Sequence, residues 1–329
     1  MDRLLLGAPL GYALDAVIGD PRRGHPVAAF GRAATRLEHR LYADRRAAGV
    51  LFTAVSTGTV AAGALLAERA LRRRPPAGTA LAGAAAWAVL GGATLVREAR
   101  AIDGLLAGGD LAAARARLPH LCGRDPHGLD EAGIARAVVE SVAENTADAV
   151  VNALVWGALA GAPGLLAFRA VNTLDAMVGH RSPRYERFGW ASARLDDLAG
   201  WPGARLTALL TAAAAGPGAR RRALRVWRRD GGAHPSPNAG QAESAFAGAL
   251  GVRLGGELAY GERVERRPVL GAELRAPERA DIERACVLSR RVGALALGTA
   301  LVGRAAVRAG ARAGARAVGR RAVRTGARR

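Results

Sequence analysis

The 329-residue chain carries a formal net charge of +20, and all 48 of its basic residues are arginine. Lacking lysine, it cannot form a G-x-x-x-x-G-K-[ST] phosphate loop or perform Schiff-base chemistry. Only four isoleucines accompany abundant alanine and glycine, which reads as GC-rich codon usage. The charge is therefore weak support for a nucleic-acid partner, and with few aromatics to interleave with it none is expected. Cys122 and Cys286 form no ligand pair and no disulfide framework.

The opening MDRLLLGAPLGYALDAVIGDP is apolar but carries Asp15 and no small-x-small cleavage site, so it reads as a retained first helix. In the following DAVIGDPRRGHPVAAFGR (15–32), Asp15, Asp20 and His25 lie among turn-forming Pro21, Gly24 and Pro26, either as a helix stop or as part of a site. Ala47–Ala67 and Pro75–Val96 are uncharged and about 20 residues long, enough for a ~30 Å hydrocarbon core. The link ERALRRR makes them a helical hairpin, and their small residues suit close packing in lipid. Ala149–Phe168 is a third candidate span, interrupted by Gly161-Ala162-Pro163-Gly164. Leu206–Ala219 and Val292–Gly303 are shorter, suited to partial spans or interfacial segments. Polar loops are expected near 20–46, 97–148, 169–205 and 220–291.

The expected fold is all-α: a polytopic integral membrane protein with four or five membrane segments. A single membrane-embedded domain covers 1–303, followed by an Arg-rich tail over 304–329. In that tail arginine recurs every fourth residue from 304 to 328, either as a helical basic stripe for anionic lipid or as a disordered extension. Arginine counts on either side of the first span do not settle orientation.

Three further polar segments carry chemistry. In ESVAENTADAVVN (140–152) a helix stacks Glu140, Glu144 and Asp148 on one face, with Ser141, Asn145 and Asn152 beside them. Three stacked acids cost stability unless a cation or several donors sit among them. In FRAVNTLDAMVGHRSPRYERFGWASARLDDLAGWPGARLT (168–207), Arg169 precedes Asn172 and Asp175. Arg181, Arg184 and Arg187 follow, and Arg194, Asp196 and Asp197 close the segment. Carboxylates hold a hard cation through oxygen and guanidinium forks hold phosphate, so this mixture suits a magnesium-bound polyphosphate; a salt-bridged juxtamembrane loop is the plainer alternative. In HPSPNAGQAESAFAGALGVRLGG (234–256), Ser236 or Asn238 caps a helix starting near Pro237, with Gln241 and Glu243 in its first turns. The chain's four asparagines, Asn145, Asn152, Asn172 and Asn238, all fall in these three segments.

At these residues the chain closely resembles the CobD/CbiB family of cobalamin biosynthesis. The resemblance is carried by GDP…HPV (19–27), ESVAEN…D (140–148), RAVNTLDAMVGH (169–180), RYERFGWASARLDD (184–197), HPSPNAGQAESAFAGALGVRLGG (234–256) and the YG after it. Ala153, Gly203 and the Arg-rich tail depart from the family pattern without touching its polar motifs.

The resemblance implies a multi-pass protein of the cytoplasmic membrane. It would use ATP to join aminopropanol phosphate, or aminopropanol, to the free propionate of adenosylcobyric acid, giving adenosylcobinamide phosphate. Other membrane enzymes of the same pathway are conceivable partners. On this reading Glu140, Glu144, Asp148, Asp175, Asp196 and Asp197 serve magnesium, and Glu144, Asp175, His234 and His180 serve catalysis. Arg169, Asn172, Arg181, Arg184, Arg194, Asn145, Ser236, Asn238 and Glu243 hold nucleotide and substrate.

A prenyltransferase using magnesium pyrophosphate is the enzymatic rival, though ARLDD and NTLD lack D-x-x-x-D spacing. A corrinoid transporter or scaffold is the non-enzymatic one. If 149–168 crossed the bilayer once, Asp148 and Asn172 would lie about 30 Å apart. A shared site therefore requires the chain to break at Gly161–Gly164 and return.

Overall fold

A computed structural model describes residues 2–21, 24–180, 182–260 and 263–326. Among the described residues, twelve α-helices run in order: α1 (Arg3–Ile18), α2 (Pro26–Leu41), α3 (Arg46–Ala70), α4 (Pro75–Val89), α5 (Gly92–Ala107), α6 (Leu111–Arg117), α7 (Glu131–Thr146), α8 (Asn152–Leu174), α9 (Trp190–Ala214), α10 (Pro217–Asp230), α11 (Ala239–Leu250) and α12 (Ala280–Gly326). One antiparallel hairpin, β1 (Leu254–Tyr260) and β2 (Arg263–Leu270), lies between α11 and α12. Among the described residues, four stretches are long and apolar enough to cross a membrane: Arg46–Ala70, Pro75–Ala107, Glu131–Gly179 and Ala280–Ala311.

Burial separates these stretches by role. α3 leaves Val50, Leu51, Val55, Leu65 and Leu66 exposed, an apolar outer face suited to lipid. α11 is buried at every position, Gln241, Glu243 and Ser244 included, as befits a helix at the centre of the bundle. Helices α1 and α4 meet through small residues. A side chain on Gly7 would meet Ala82 and Gly83, and one on Gly11 would meet Ala86 and Gly83, so the two backbones lie in near contact.

The hairpin expected within 149–168 is present. Gly161 adopts φ 76°, ψ −160° inside α8, which stops one limb and lets Pro163 start the next. Had the helix continued, residues 156 and 164 would be about 12 Å apart. Instead a Cβ on Gly164 would touch the Trp156 carbonyl, and one on Gly157 would lie 3.3 Å from Leu165. The first limb's carbonyls are capped by Arg304, which donates to Ala158 O and Leu159 O at 3.3 and 3.4 Å and pairs with Asp2 at 3.0 Å.

Other expectations shift. The uninterrupted run at 75–96 divides at Leu90–Gly91, where Leu90 is extended and α5 restarts. The run at 206–219 ends with α9 at Ala214, because Pro217 opens α10 and cannot extend the preceding helix. The loop expected at 97–148 is mostly helix, and that at 220–291 holds the end of α10, all of α11, the β-hairpin and the start of α12. The tail continues α12 as far as Gly326, and Arg304 and Arg308 both pair with Asp2.

Candidate functional site

Two π-turns organise the polar centre. α7 runs into the π-turn Ala147–Val151, and α8 ends in the π-turn Asp175–Gly179. Such a turn inserts one residue into the helical ladder, rotates the residues beyond it, and is frequent at functional sites. Asp148 is the second residue of the first turn, and Asp175 opens the second. A Cβ on Gly179 would strike the Asp175 carboxylate, so only glycine lets that carboxylate lie across the helix end.

Because α8 folds back, the two turns face one another. Asp148 lies within electrostatic reach of Asp196, Glu144, Asp175 and Arg169, and Asn172 donates to Asp196 at 3.3 Å. Asp197 is felt by both Asp175 and Asp196. A second group joins from the other side. Glu243 on α11 interacts with Glu140, Glu144, Arg267 and Arg124. Glu144 acts on both Glu243 and Asp196, which makes it the bridge between the groups. In all, seven carboxylates meet the guanidiniums of Arg124, Arg267 and Arg169, with Arg194 at the edge, so negative charge is in excess.

The hairpin supplies part of this wall. Gly255 and Gly256 sit at φ 82° and 88° where the strand register shifts. That bulge turns the Gly255 N–H to donate to Glu140 at 2.6 Å. Arg136 holds the same bend by donating to Gly255 O and Glu257 O at 2.9 and 3.0 Å. Glu140 also forms a buried ion pair with Arg124. Arg267 points from β2 to His234 Nε2 at 3.1 Å. The other ring nitrogen, Nδ1, receives the Ser236 N–H at 3.0 Å, so both nitrogens are engaged. Ser236 Oγ accepts from the Asn238 and Ala239 N–H groups at 3.3 and 3.2 Å, and so steadies the start of α11, whose N-cap position is Asn238.

Two amides sit under the floor. Asn238 donates to Asp197 O at 2.9 Å and accepts from Arg205 at 2.8 Å. Asn152 is fully buried, and its amide oxygen and nitrogen have no hydrogen-bond partner among the described residues. A Cβ on Gly203 would strike the Asn152 amide, and one on Gly200 would lie 2.7 Å from Asn238. The glycines of α9 therefore make the space these amides occupy.

Not every sequence candidate joins the cluster. Arg184 pairs with Glu38 at 3.1 Å and stacks 4.1 Å from the Tyr42 ring, where it ties the 182–189 loop to α2. Asn145 donates to Ser141 O at 2.9 Å within its own helix. Arg194 is exposed and reaches Asp197 at 3.6 Å. His180 stands at the edge, beside Asp175 and T-stacked on Tyr185. Arg181 lies outside the described residues. Among the described residues, no three acidic, His or Cys side chains form a ready-made metal cage.

Sequence reading missed Arg124 and Arg267, which the ion-pair demand of buried Glu140 and Glu243 could have signalled. It also left Asp20 and His25 unassigned. These two pair at 3.3 Å, and Asp20 faces Arg169.

Burial, then the neighbouring Asp175 charge, lifts the Asp196 carboxyl to about 7. Burial likewise lifts Asp197, and lifts Glu243 well above the usual carboxylate range. A raised folded pKa means the native state holds a proton that the unfolded state has released. This contribution to stability is present below pH 3.8 and is lost as pH rises to about 7. The detergent-solubilised protein without nucleotide should therefore melt at progressively lower temperature across that window. Asp196→Asn should flatten the slope; an unchanged slope would place the titration elsewhere.

The family model described as CobD/Cbib protein matches residues 8–289. The protein named "Cobalamin biosynthesis protein CobD" from Mycobacterium tuberculosis is 53% identical over 304 residues, covering 91% of this chain and 96% of its own. The protein of that name from Rhodobacter capsulatus is 43% identical over 309 residues with the same coverages. That from Geobacter metallireducens is 45% identical over 269 residues, 80% of this chain and 85% of its own. No solved structure matches the chain. The chain belongs to the CobD/CbiB family.

Proposed function

We propose that this biosynthetic enzyme of the cobalamin pathway is an ATP-dependent acid–amine ligase. It joins aminopropanol phosphate, or aminopropanol, to the free propionate of adenosylcobyric acid. The observation that carries this reading is the excess of carboxylates among buried guanidiniums and amides, gathered from α7, α8, α9, α11 and the turns and hairpin beside them. An anionic nucleotide enters such a place only together with a cation. Magnesium suits such a place, because it is held by one or two carboxylates and completes its shell with water and substrate phosphates. Asp148, Asp175 and Asp196 are the residues that would hold it, and when bound it neutralises charge on the transferring phosphoryl group.

Amide formation from a carboxylate and an amine is uphill in water, so the acid is activated first. A propionate oxygen attacks the γ-phosphorus, the bond to the β-phosphate oxygen breaks, and ADP leaves. The amine nitrogen then attacks the acyl carbon, the carbon–oxygen bond to phosphate breaks, and inorganic phosphate departs. Neither step needs an enzyme nucleophile; positioning and charge suffice. In keeping with this, burial pushes the Cys122 thiol up, away from the reactive thiolate.

Arg169, buried and flanked by Asp20 and Asp148, orients phosphate oxygens, and Asn172 fixes Asp196. His180 takes the proton from the attacking ammonium, with Asp175 stabilising the imidazolium. His234 is an anchor, since both its ring nitrogens are engaged, Nε2 by Arg267 and Nδ1 by the Ser236 N–H. The test is a ligation assay on purified protein in detergent with adenosylcobyric acid, each amine in turn, and ATP. One ADP per amide is expected; amide without ADP, or corrinoid binding with neither product, would remove the ligase reading.

A further inference from the structure

Helix α10, with the sequence PGARRRALRVWRRD, packs on α9 and α11 and buries Ala223 and Val226. Some of its polar side chains are already engaged. Arg222 donates to Gly248 O and Ala249 O at 2.6 and 3.3 Å, holding the last turn of α11. Trp227 donates to Gln241 Oε1 at 2.8 Å, and Arg229 pairs with Asp230 and Glu273 at 2.6 and 2.7 Å. That leaves Arg220, Arg221, Arg225 and Arg228, all exposed and, among the described residues, without a hydrogen bond or ion pair. Arg221, Arg225 and Arg228 stand at i, i+4 and i+7, so they share one outer face. With Leu224 and Arg229 they line an open groove of about 550 Å³. Like charges at this spacing destabilise a helix unless anions lie among them.

The neighbouring helix supplies the second observation. Only Ala215 and Gly216 separate α9 from α10, and the outer side of α9 is apolar. Leu198, Trp201 and Leu209 are 73%, 56% and 50% exposed. They share a stripe with Arg205, whose guanidinium lies 4.7 Å from the Trp201 ring. Exposed leucine and tryptophan with arginine at the margin suit a helix lying at a membrane–water boundary.

Together the two faces select an occupant. A soluble anion would answer the arginines but leave the α9 stripe in water. A nucleic acid would find no aromatic ring lining the groove on which a base could stack. An anionic phospholipid answers both, its phosphate taken by guanidinium forks and its acyl chains by the apolar stripe. We infer that the outer face of α10 binds the headgroups of anionic phospholipids, with α9 alongside it at the acyl-chain boundary. Because Arg222 and Trp227 join α10 to α11, lipid bound there also steadies the helix that carries Glu243. None of this depends on the ligase reading.

The test is native mass spectrometry of the full-length protein in detergent, equilibrated with equal amounts of phosphatidylglycerol and phosphatidylcholine. The parent protein should retain phosphatidylglycerol at least about fivefold over phosphatidylcholine, a preference that falls as salt is raised. Replacing Arg221, Arg225 and Arg228 together by glutamine should bring the ratio to within about twofold, and Arg225→Gln alone should give an intermediate value. These side chains are exposed, so the variants should melt in detergent alone like the parent. Replacing Arg316, Arg320 and Arg324 of the tail by glutamine should leave the ratio unchanged. Equal retention of both lipids by the parent would overturn the inference, as would a preference that survives the α10 substitutions or is lost only with the tail arginines. Binding of a short DNA duplex that disappears with the α10 arginines, without any lipid preference, would give the patch to nucleic acid and overturn it too.

Discussion

Replacing Glu144 by glutamine, or Asp175 by asparagine, is expected to lower ligation by at least about a hundredfold, the scale at which a charged group in a polar active site acts. Insertion and folding should survive, because both substitutions keep shape and remove only charge from an already negative cluster. Glu144 is the sharper test, since it bridges the Glu140–Glu243 group and the Asp148–Asp196 group. Its loss should fall mainly on kcat, whereas losing Arg169 should also raise the KM for ATP. Arg184→Ala, by contrast, should stay within a few-fold of the parent, because that guanidinium is engaged by Glu38 and Tyr42. Near-normal turnover in Glu144→Gln or Asp175→Asn would take that residue out of the site.

The second large effect concerns backbone. Gly161 occupies a conformation essentially reserved for glycine, and alanine there should cost about 1–3 kcal/mol in torsional strain. Space is not the obstacle, since a Cβ would meet nothing closer than 3.3 Å. If the turn opens, the limbs of α8 separate and Asp175 leaves Asp148, so activity should fall further than stability alone predicts. Cysteine labelling at positions 148 and 172 gives the topology directly. Both should react from the same side in the parent protein; labelling from opposite faces would contradict the hairpin.

Much of this was legible in the chain because it rests on local chemistry. Gly161 through Gly164 announced a break, and the geometry of one ATP required a return. The clustered asparagines and acids marked segments that the fold brings together. The hidden parts depend on contacts distant in sequence or on single-residue irregularities. A π-turn leaves no trace in a 3.6-residue periodicity, so Asp148 read as the third member of a straight stack. Arg124 and Arg267 lie in stretches whose arginines resemble every other arginine of a lysine-free chain. Arg184 looked like a phosphate ligand for that same reason, and its pairing with Glu38 becomes apparent only in the fold. The Gly255–Gly256 bulge falls within a motif, but its purpose, turning an N–H onto Glu140, becomes apparent only once β1 is docked against α7.

The measurement that bears most directly on the activation step traces the oxygen. Adenosylcobyric acid labelled with heavy oxygen in its free propionate is ligated in ordinary water with ATP and the amine, and the released phosphate is analysed by mass. Attack of the propionate on the γ-phosphoryl group predicts one labelled oxygen in inorganic phosphate for each amide formed. Label confined to the corrinoid, or carried into AMP, would contradict it.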